Sequence, residues 1–418
     1  MVDSMRGMFS GLSQTPHLRA NAGTAEQDTS YYRIDISSGT GFAPFTTDNG
    51  LNGDGDEYIY IAIRRPDPYV AKPFELSSEL FRLIETRGGT QSNPNSPAYS
   101  ANTMRNGLDF VLTKTWWTHS SENDWKVAVR LLGGLFPETN DTAVSSSIGH
   151  RSPGTWKWDY NSGFATGPIF TDNTGSPPGT ASLGDKNAWI WKRSAGFDAV
   201  VYSGSGANNQ FTFGDTPQPM DIPHNLTKTP EFIWVKRLDS SADSWSVFHK
   251  GLNGGTNPEQ KYLVLNTDAS EVDADDRWND TAPTSTHFTV GTSNSVNAGA
   301  TSEHLALLFA SVDGISKVGY FDGQNSNITV TLGFQPQFLI LKKVSGSGDW
   351  LVLQTKTTPY NFPWPSNSNE NTCRVLRLNH AEDAENYDIS YRTSTGFVLT
   401  SDSRWNTSGE KFIYYAHV

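Results

Sequence analysis

A strand–turn–strand unit that recurs along the chain limits its fold more than any other feature. In 231–251 the apolar run Phe232-Ile233-Trp234-Val235-Lys236-Arg237 leads into a polar turn, then Asp243 and Ser244-Trp245-Ser246-Val247-Phe248-His249. The order returns in 337–353 as Phe338-Leu339-Ile340-Leu341-Lys342-Lys343, a Gly/Ser turn, and Asp349-Trp350-Leu351-Val352-Leu353. A looser copy in 109–131 reads Phe110-Val111-Leu112-Thr113-Lys114, a polar turn, and Asp124-Trp125-Lys126-Val127-Ala128-Val129. The tryptophans lie 120 residues apart (125 to 245) and then 105 apart (245 to 350). Three other markers keep the same order. A Gly/His-Phe step stands at Phe42, Phe164, Phe288 and Phe397. A closing apolar strand follows, as Tyr58-Ile59-Tyr60-Ile61-Ala62-Ile63, Ala188-Trp189-Ile190-Trp191, Leu305-Ala306-Leu307-Leu308-Phe309-Ala310 and Phe412-Ile413-Tyr414-Tyr415-Ala416. Then 196–204 matches 314–323 as the opening of a repeat.

A period above 100 residues is too long for a solenoid coil, whose repeats run roughly 20–50 residues, so each repeat is a domain. Short strand candidates separated by Gly, Asn, Asp, Ser and Pro clusters predict an all-β chain of tandem antiparallel β-sandwich modules, jelly-roll-like in character. The expected division is 1–65, a partial module formed by the C-terminal half of a repeat; 66–194, a divergent Trp-rich β module; 195–314, a β-sandwich module; and 315–418, another. The one helical pattern is 76–86, with Leu76, Leu80, Leu83 and Ile84 at helical spacing and Ser77/Ser78 as caps. Because the array begins mid-module, the favoured reading makes the chain the C-terminal part of a longer protein. A module boundary falling mid-repeat, or a partner chain supplying the missing strands, are the alternatives.

Composition narrows the function classes. A net charge of −12 argues against nucleic acid as a partner, which needs a basic face. Pairs such as Arg64-Arg65 and Lys342-Lys343 read as solvated strand ends. The single cysteine, Cys373, excludes an intrachain disulfide and reads as a small core residue. No apolar run reaches the ~20 residues of a membrane span, and residues 1–6 lack a signal-peptide layout.

Candidate chemistry is sparse. The turn at 52–57 alternates acidic oxygens with glycines, so Asp54 and Asp56 are candidate Ca2+ ligands, although a plain hairpin turn is the simpler reading. Asp268, Glu271, Asp273, Asp275, Asp276 and Asp280 place six carboxylates in 13 residues; Asp273, Asp275 and Asp276 are the further metal candidates, against a solvated acidic loop. No cofactor is expected otherwise. Trp116, Trp117, Trp156 and Trp158 are candidate ligand-binding residues, since tryptophans on a β surface stack on sugar rings; packing between sheets is the alternative. Trp125, Trp245 and Trp350 read as structural repeat positions. The Asp ahead of each is expected to bond local backbone N–H groups at the turn. The histidines are scattered without metal-ligand spacing, and no catalytic constellation appears, so no enzyme is expected.

The order Gly196-Phe197-Asp198-Ala199-Val200-Val201-Tyr202-Ser203-Gly204, Ile222-Pro223-His224-Asn225-Leu226, Thr229-Pro230-Glu231-Phe232 and Trp278-Asn279-Asp280-Thr281-Ala282-Pro283-Thr284 resembles a repeat module of tail fibre and appendage structural proteins of tailed bacteriophages, marine and cyanobacterial ones especially. The last repeat matches through 332–343 and the first through 3–7 and 58–65; the resemblance covers about three quarters of the chain and is weakest over 66–160. It implies a virion location after synthesis in the host cytoplasm, and a tail fibre or receptor-binding role in host attachment through surface glycans. It names no catalytic residue. The expected partners are itself, as a homo-oligomer, other virion proteins, and host surface polysaccharide, with no membrane insertion. The rival reading is a purely structural virion protein: a capsid decoration, tail ornament or filament subunit. A polysaccharide depolymerase is a third.

Overall fold

The structure is a computed structural model that describes residues 34–38, 41–44, 52–61, 81–86, 99–100, 109–117, 125–132, 135–137, 139, 141, 144–146, 163–164, 185–193, 196–206, 217–300, 302–354, 372–382 and 385–418. The described residues are almost entirely β, in antiparallel sheets with sandwich packing and no closed barrel.

Three large sheets share one strand order. In the first, Phe81–Thr86 lies beside Asp185–Trp191, which pairs with Phe110–Trp117 and through it with Trp125–Val129. In the second, Phe197–Ser203, Glu303–Phe309, Phe232–Arg237 and Ser246–His249 follow in that order, and Lys261–Val264 and Val272–Asp273 extend the sheet. The third repeats it with Ser316–Asp322, Lys411–His417, Phe338–Lys343 and Trp350–Gln354, then Thr372–Arg377 and Glu385–Asp388. The last strand of each unit therefore inserts between the opening strand and the first arm of the recurring hairpin. These sheets define units A (81–191), B (197–309) and C (316–417).

The arms of the hairpin read as continuous apolar runs because they are buried on both faces. Alternate residues of a strand point to opposite sides. In unit B, Ile233, Val235, Ala306 and Leu308 face a private core closed by the two-stranded sheet of Met220–Pro223 and His287–Val290. In unit C, Leu339, Leu341, Leu353 and Ala416 pack similarly toward Val330, Phe397 and Leu399 of the three-stranded sheet. The other faces meet in a single cluster. Phe110, Trp125, Trp189 and Trp191 of A, Phe232, Trp234, Trp245 and Phe309 of B, and Phe338, Trp350 and Tyr415 of C form one inner core. Rings from different units touch directly: Trp191 and Phe338 at 5.5 Å, Trp191 and Phe309 at 6.4 Å, Phe309 and Tyr415 at 5.0 Å, and Phe232 stacked on Trp350 at 6.2 Å. Aromatic pairs in this range add to the large area each ring buries.

Units B and C also meet where Tyr320 lies over 251–255. A Cβ on Gly251 would stand 2.5 Å from Tyr320 Cβ, and one on Gly255 2.3 Å from Tyr320 Oη, so this close approach needs glycine.

Two expected elements differ. Residues 81–86 are a strand, not part of a helix: the ladder to Asp185–Trp191 supplies inter-strand hydrogen bonds that outweigh a short stretch's weak helical preference. Residues 58–61, expected to be a closing strand, belong to no strand. No helix among the described residues is long and apolar enough to cross a membrane.

Candidate functional site

In units A and C the recurring Lys and Trp of the hairpin are latches between units. Lys114, Lys236 and Lys342 sit two residues beyond an inner-core side chain, on the same face, and all three are buried. Lys342 Nζ crosses from C to B and donates to the carbonyls of Asp268 (3.1 Å) and Ala269 (2.9 Å). Lys114 Nζ crosses from A to C and donates to those of Ala381 (2.6 Å) and His380 (3.4 Å). The indoles run parallel to them: Trp350 Nε1 donates to Val264 O at 3.1 Å, and Trp125 Nε1 to Arg377 O at 2.7 Å. Val264 and Arg377 hold equivalent places, because Asn266 and Asn379, two residues further on, accept the backbone N–H of Trp245 and Trp350. Lys236 donates within its own unit instead, to Asp243 O (2.6 Å) and Ser240 O (3.3 Å), with Asp141 of A near enough to act on its charge. A leans on C and C on B through these donors, and A meets B through Trp191 and Phe309.

The lysine ammonium groups carry the cost of this burial. Desolvation pulls Lys342 down to about 7, against the attraction of Asp268 and Asp349. It pulls Lys236 to about 8, against Asp243 and Asp141. The expectation that Lys342-Lys343 closes a strand as a solvated pair is therefore half wrong: Lys343 is partly exposed, but Lys342 is a buried cation, and two of its three carbonyl partners come from another unit. Sequence reasoning missed it because those partners are backbone carbonyls, which leave no mark in a sequence.

Trp125, Trp245 and Trp350 occupy matching inner-core positions with no exposed surface. The role assigned to the preceding Asp needs correction. Asp349 binds side chains, accepting from Asn379 Nδ2 (2.8 Å) and His380 Nε2 (3.0 Å), and Asp243 accepts from Arg237 Nη1 (3.1 Å). Burial alone would raise the Asp349 carboxyl, but Asn379, His380 and Arg377 hold it below the usual carboxylate range.

Other candidates are dispersed. Trp116 and Trp117 end the first arm of unit A. Trp156 and Trp158 lie outside the described residues. Asp54 and Asp56 flank Gly55 in an exposed turn closed by Asp56 N to Gly53 O at 3.3 Å. Asp273 pairs with Lys261, Asp276 with Arg277, and Asp275 opens the short helix Asp275–Trp278. Among the described residues no three His, Cys, Asp or Glu side chains are grouped to hold a metal. Cys373 is buried in the private core of unit C, where desolvation pushes its thiol up to about 12.

What the structure assembles instead is a cleft of about 200 Å³ on unit C. Arg404 forms one wall, its guanidinium 4.3 Å from the ring centre of Tyr387 and 4.2 Å from that of Trp405. Asp402 holds it with two contacts of 2.9 Å. Opposite, Arg377 reaches Glu385 at 2.8 Å, Glu382, and Asp349 at 3.6 Å. Lys343 and Ser347 complete the rim. Guanidinium donors and carboxylate acceptors beside a half-buried tyrosine ring offer hydrogen bonds in both directions. Unit B carries other side chains at the matching places. The turn at 402–406 matches 293–297: Trp405 N and Asn406 N bond Asp402 O as Val296 N and Asn297 N bond Ser293 O. Where C has Arg404, Trp405 and Arg377, B has Ser295, Val296 and Val264, and Ser295 Oγ bridges to Ser246 Oγ at 2.9 Å.

The fold and the latches define a class, a multi-unit antiparallel β-sandwich protein closed around a shared aromatic core. Residues 176–418, more than half of the chain, match the family described as Domain of unknown function (DUF7483), and the chain belongs to that family. No curated protein matches the chain.

Proposed function

We propose that this protein is a structural component of a phage virion appendage, a tail fibre or receptor-binding part, that adheres to host surface glycans without enzymatic activity. The observation behind this reading is the difference between copies of one scaffold: units B and C share strand order and turn geometry, yet C carries the Arg404–Tyr387 cleft where B has Ser295, Val296 and Val264. Sugar hydroxyls both donate and accept, so paired Arg and carboxylate groups beside an aromatic ring suit them. Adhesion from several weak sites gains from effective concentration if the chain oligomerises. Binding of the full chain to host cells and to a glycan array tests the reading, alongside Arg404→Ala and Tyr387→Ala. Saturable binding that falls at least about tenfold in both variants supports it, about 1.4 kcal/mol of affinity. Cell binding that ignores both variants removes the cleft, and absence of cell or glycan binding removes adhesion.

A purely structural virion role is the second reading, and the exposed apolar residues at 59–61 favour it. Binding of the full chain to phage capsids or tails, with none to cells, is its signature.

A further inference from the structure

We infer that Ile59, Tyr60 and Ile61 form a docking strand for a polypeptide that carries the first half of this same module, its opening strand and the first arm of its hairpin. The segment matches the closing strand of unit C residue by residue, with Ile59 at Ile413, Tyr60 at Tyr414 and Ile61 at Tyr415. The turn before it matches too: Gly55 has φ +78° and Gly409 φ +86°, each three residues after an Asn, Asn52 or Asn406. The hairpin of Ile34–Ser38 and Gly41–Pro44 stands where Ser390–Thr393 and Gly396–Leu399 stand in unit C. Phe42 meets Tyr60 edge-on at 5.3 Å, as Phe397 meets Tyr414 at 5.7 Å. The hairpin, the turn and the Phe–Tyr contact of a second half-module are thus in place.

The surroundings differ. In unit C, Ser316–Asp322 and Phe338–Lys343 flank the closing strand, and Ile413, Tyr414 and Tyr415 are 1, 6 and 1% exposed. Ile59, Tyr60 and Ile61 are 101, 70 and 88% exposed and lie in no strand. An apolar β-branched and aromatic run in this state is a template for strand addition, in which main-chain bonds supply affinity and alternate side chains supply fit. The fit is specific. Ile59 and Ile61 share the face that meets the inner core in unit C, while Tyr60 takes the private-core face. The first-half strands described in units A, B and C are already paired within their own sheets, so the complement is a further copy of that half-module rather than one of these.

The test appends a probe, residues 196–265 of this sequence, through a flexible linker ahead of residue 1 of the full chain, and follows amide hydrogen exchange at 59–61. The expected result is exchange slowed on the order of 100-fold relative to the unextended chain, with the protection lost in the extended Ile59→Lys/Ile61→Lys variant. Exchange that stays fast in the extended chain, or slows equally in the double-lysine variant or with a scrambled probe, overturns the proposal. So does concentration-dependent protection in the unextended chain, which makes a second copy the occupant.

Discussion

The inner faces of the three large sheets carry Trp, Phe and Tyr, while the outer faces of the same strands are mostly aliphatic: Val200, Ile233, Val235 and Leu308 in unit B, and Leu339, Leu341 and Leu353 in unit C. The outer cores are ordinary two-layer sandwiches about 10 Å thick, a gap that aliphatic side chains fill. The inner core has three walls, one from each sheet, and rings reach across it. It joins all three units, with the Lys and Trp latches at its edge and the Tyr320 contact joining B and C beside it. Repeats too long for a solenoid are thereby still fused into one body.

Changes on either side test this contrast. The largest effect is expected from Trp350→Ala, which removes an inner-core ring and the bond to Val264 O. It should cost roughly 3–5 kcal/mol by denaturant melting, and hydrogen exchange in unit B should rise with that in unit C. Ile389→Ala, wholly buried in the private core of unit C, should cost roughly 2–5 kcal/mol, with sub-global exchange raised in C before B. Equal spread of both effects would erase the distinction.

Acid should weaken the fold through buried imidazoles. Burial pushes His249 down to about 3 and His304 and His417 to about 4, from about 6.5 unfolded. Unfolding then takes up protons below about pH 6.5, so this contribution is complete above that value and is lost as pH falls toward 4 and 3. Melting temperature across pH 4–7 measures it. His249 lies within the inner interface, its Nε2 3.2 Å from Tyr414 O, so His249→Gln should flatten part of the slope.

The latches act at the other end of the scale. Lys342→Met keeps the stem but leaves the carbonyls of Ala269 and Lys343 without their donor, and Asp268 O with the Gly348 N–H alone, at about 1–3 kcal/mol. In the unmodified protein the folded pKa near 7 lies below the unfolded ~10.4, so stability rises with pH from about 7 toward 10. The variant should lose that share of the rise. The smallest expected effect is Arg404→Ala, half exposed in the cleft: a change within about 0.5 kcal/mol in stability, with binding rather than folding affected.

Much of the fold was legible because Trp125, Trp245 and Trp350 recur with their strands. The all-β character followed from that repeat. The tandem sandwich modules follow from the same repeat, and the sharing of a core is marked by strands apolar at every position, a pattern of burial on both faces. Lys342 was misread because a lysine at a strand end is usually solvated. The strand at 81–86 was misread because its partner lies about 100 residues away. The cleft depends on Arg404, Tyr387 and Arg377, which come from three separate segments, so no local spacing announces it. The part of it open to sequence reasoning was the difference between Asp402-Ser403-Arg404-Trp405-Asn406 and Ser293-Asn294-Ser295-Val296-Asn297 once the two repeats are aligned.

The shared core makes one claim above all: units A, B and C fold as a single cooperative body. Differential scanning calorimetry of the full chain, followed together with the reaction of Cys373 with a thiol reagent, addresses it directly. With a shared core the three units melt in one transition whose calorimetric and van't Hoff enthalpies agree, and Cys373 becomes reactive only as it proceeds. Separate transitions for the units, or Cys373 reacting while units A and B remain folded, would contradict it.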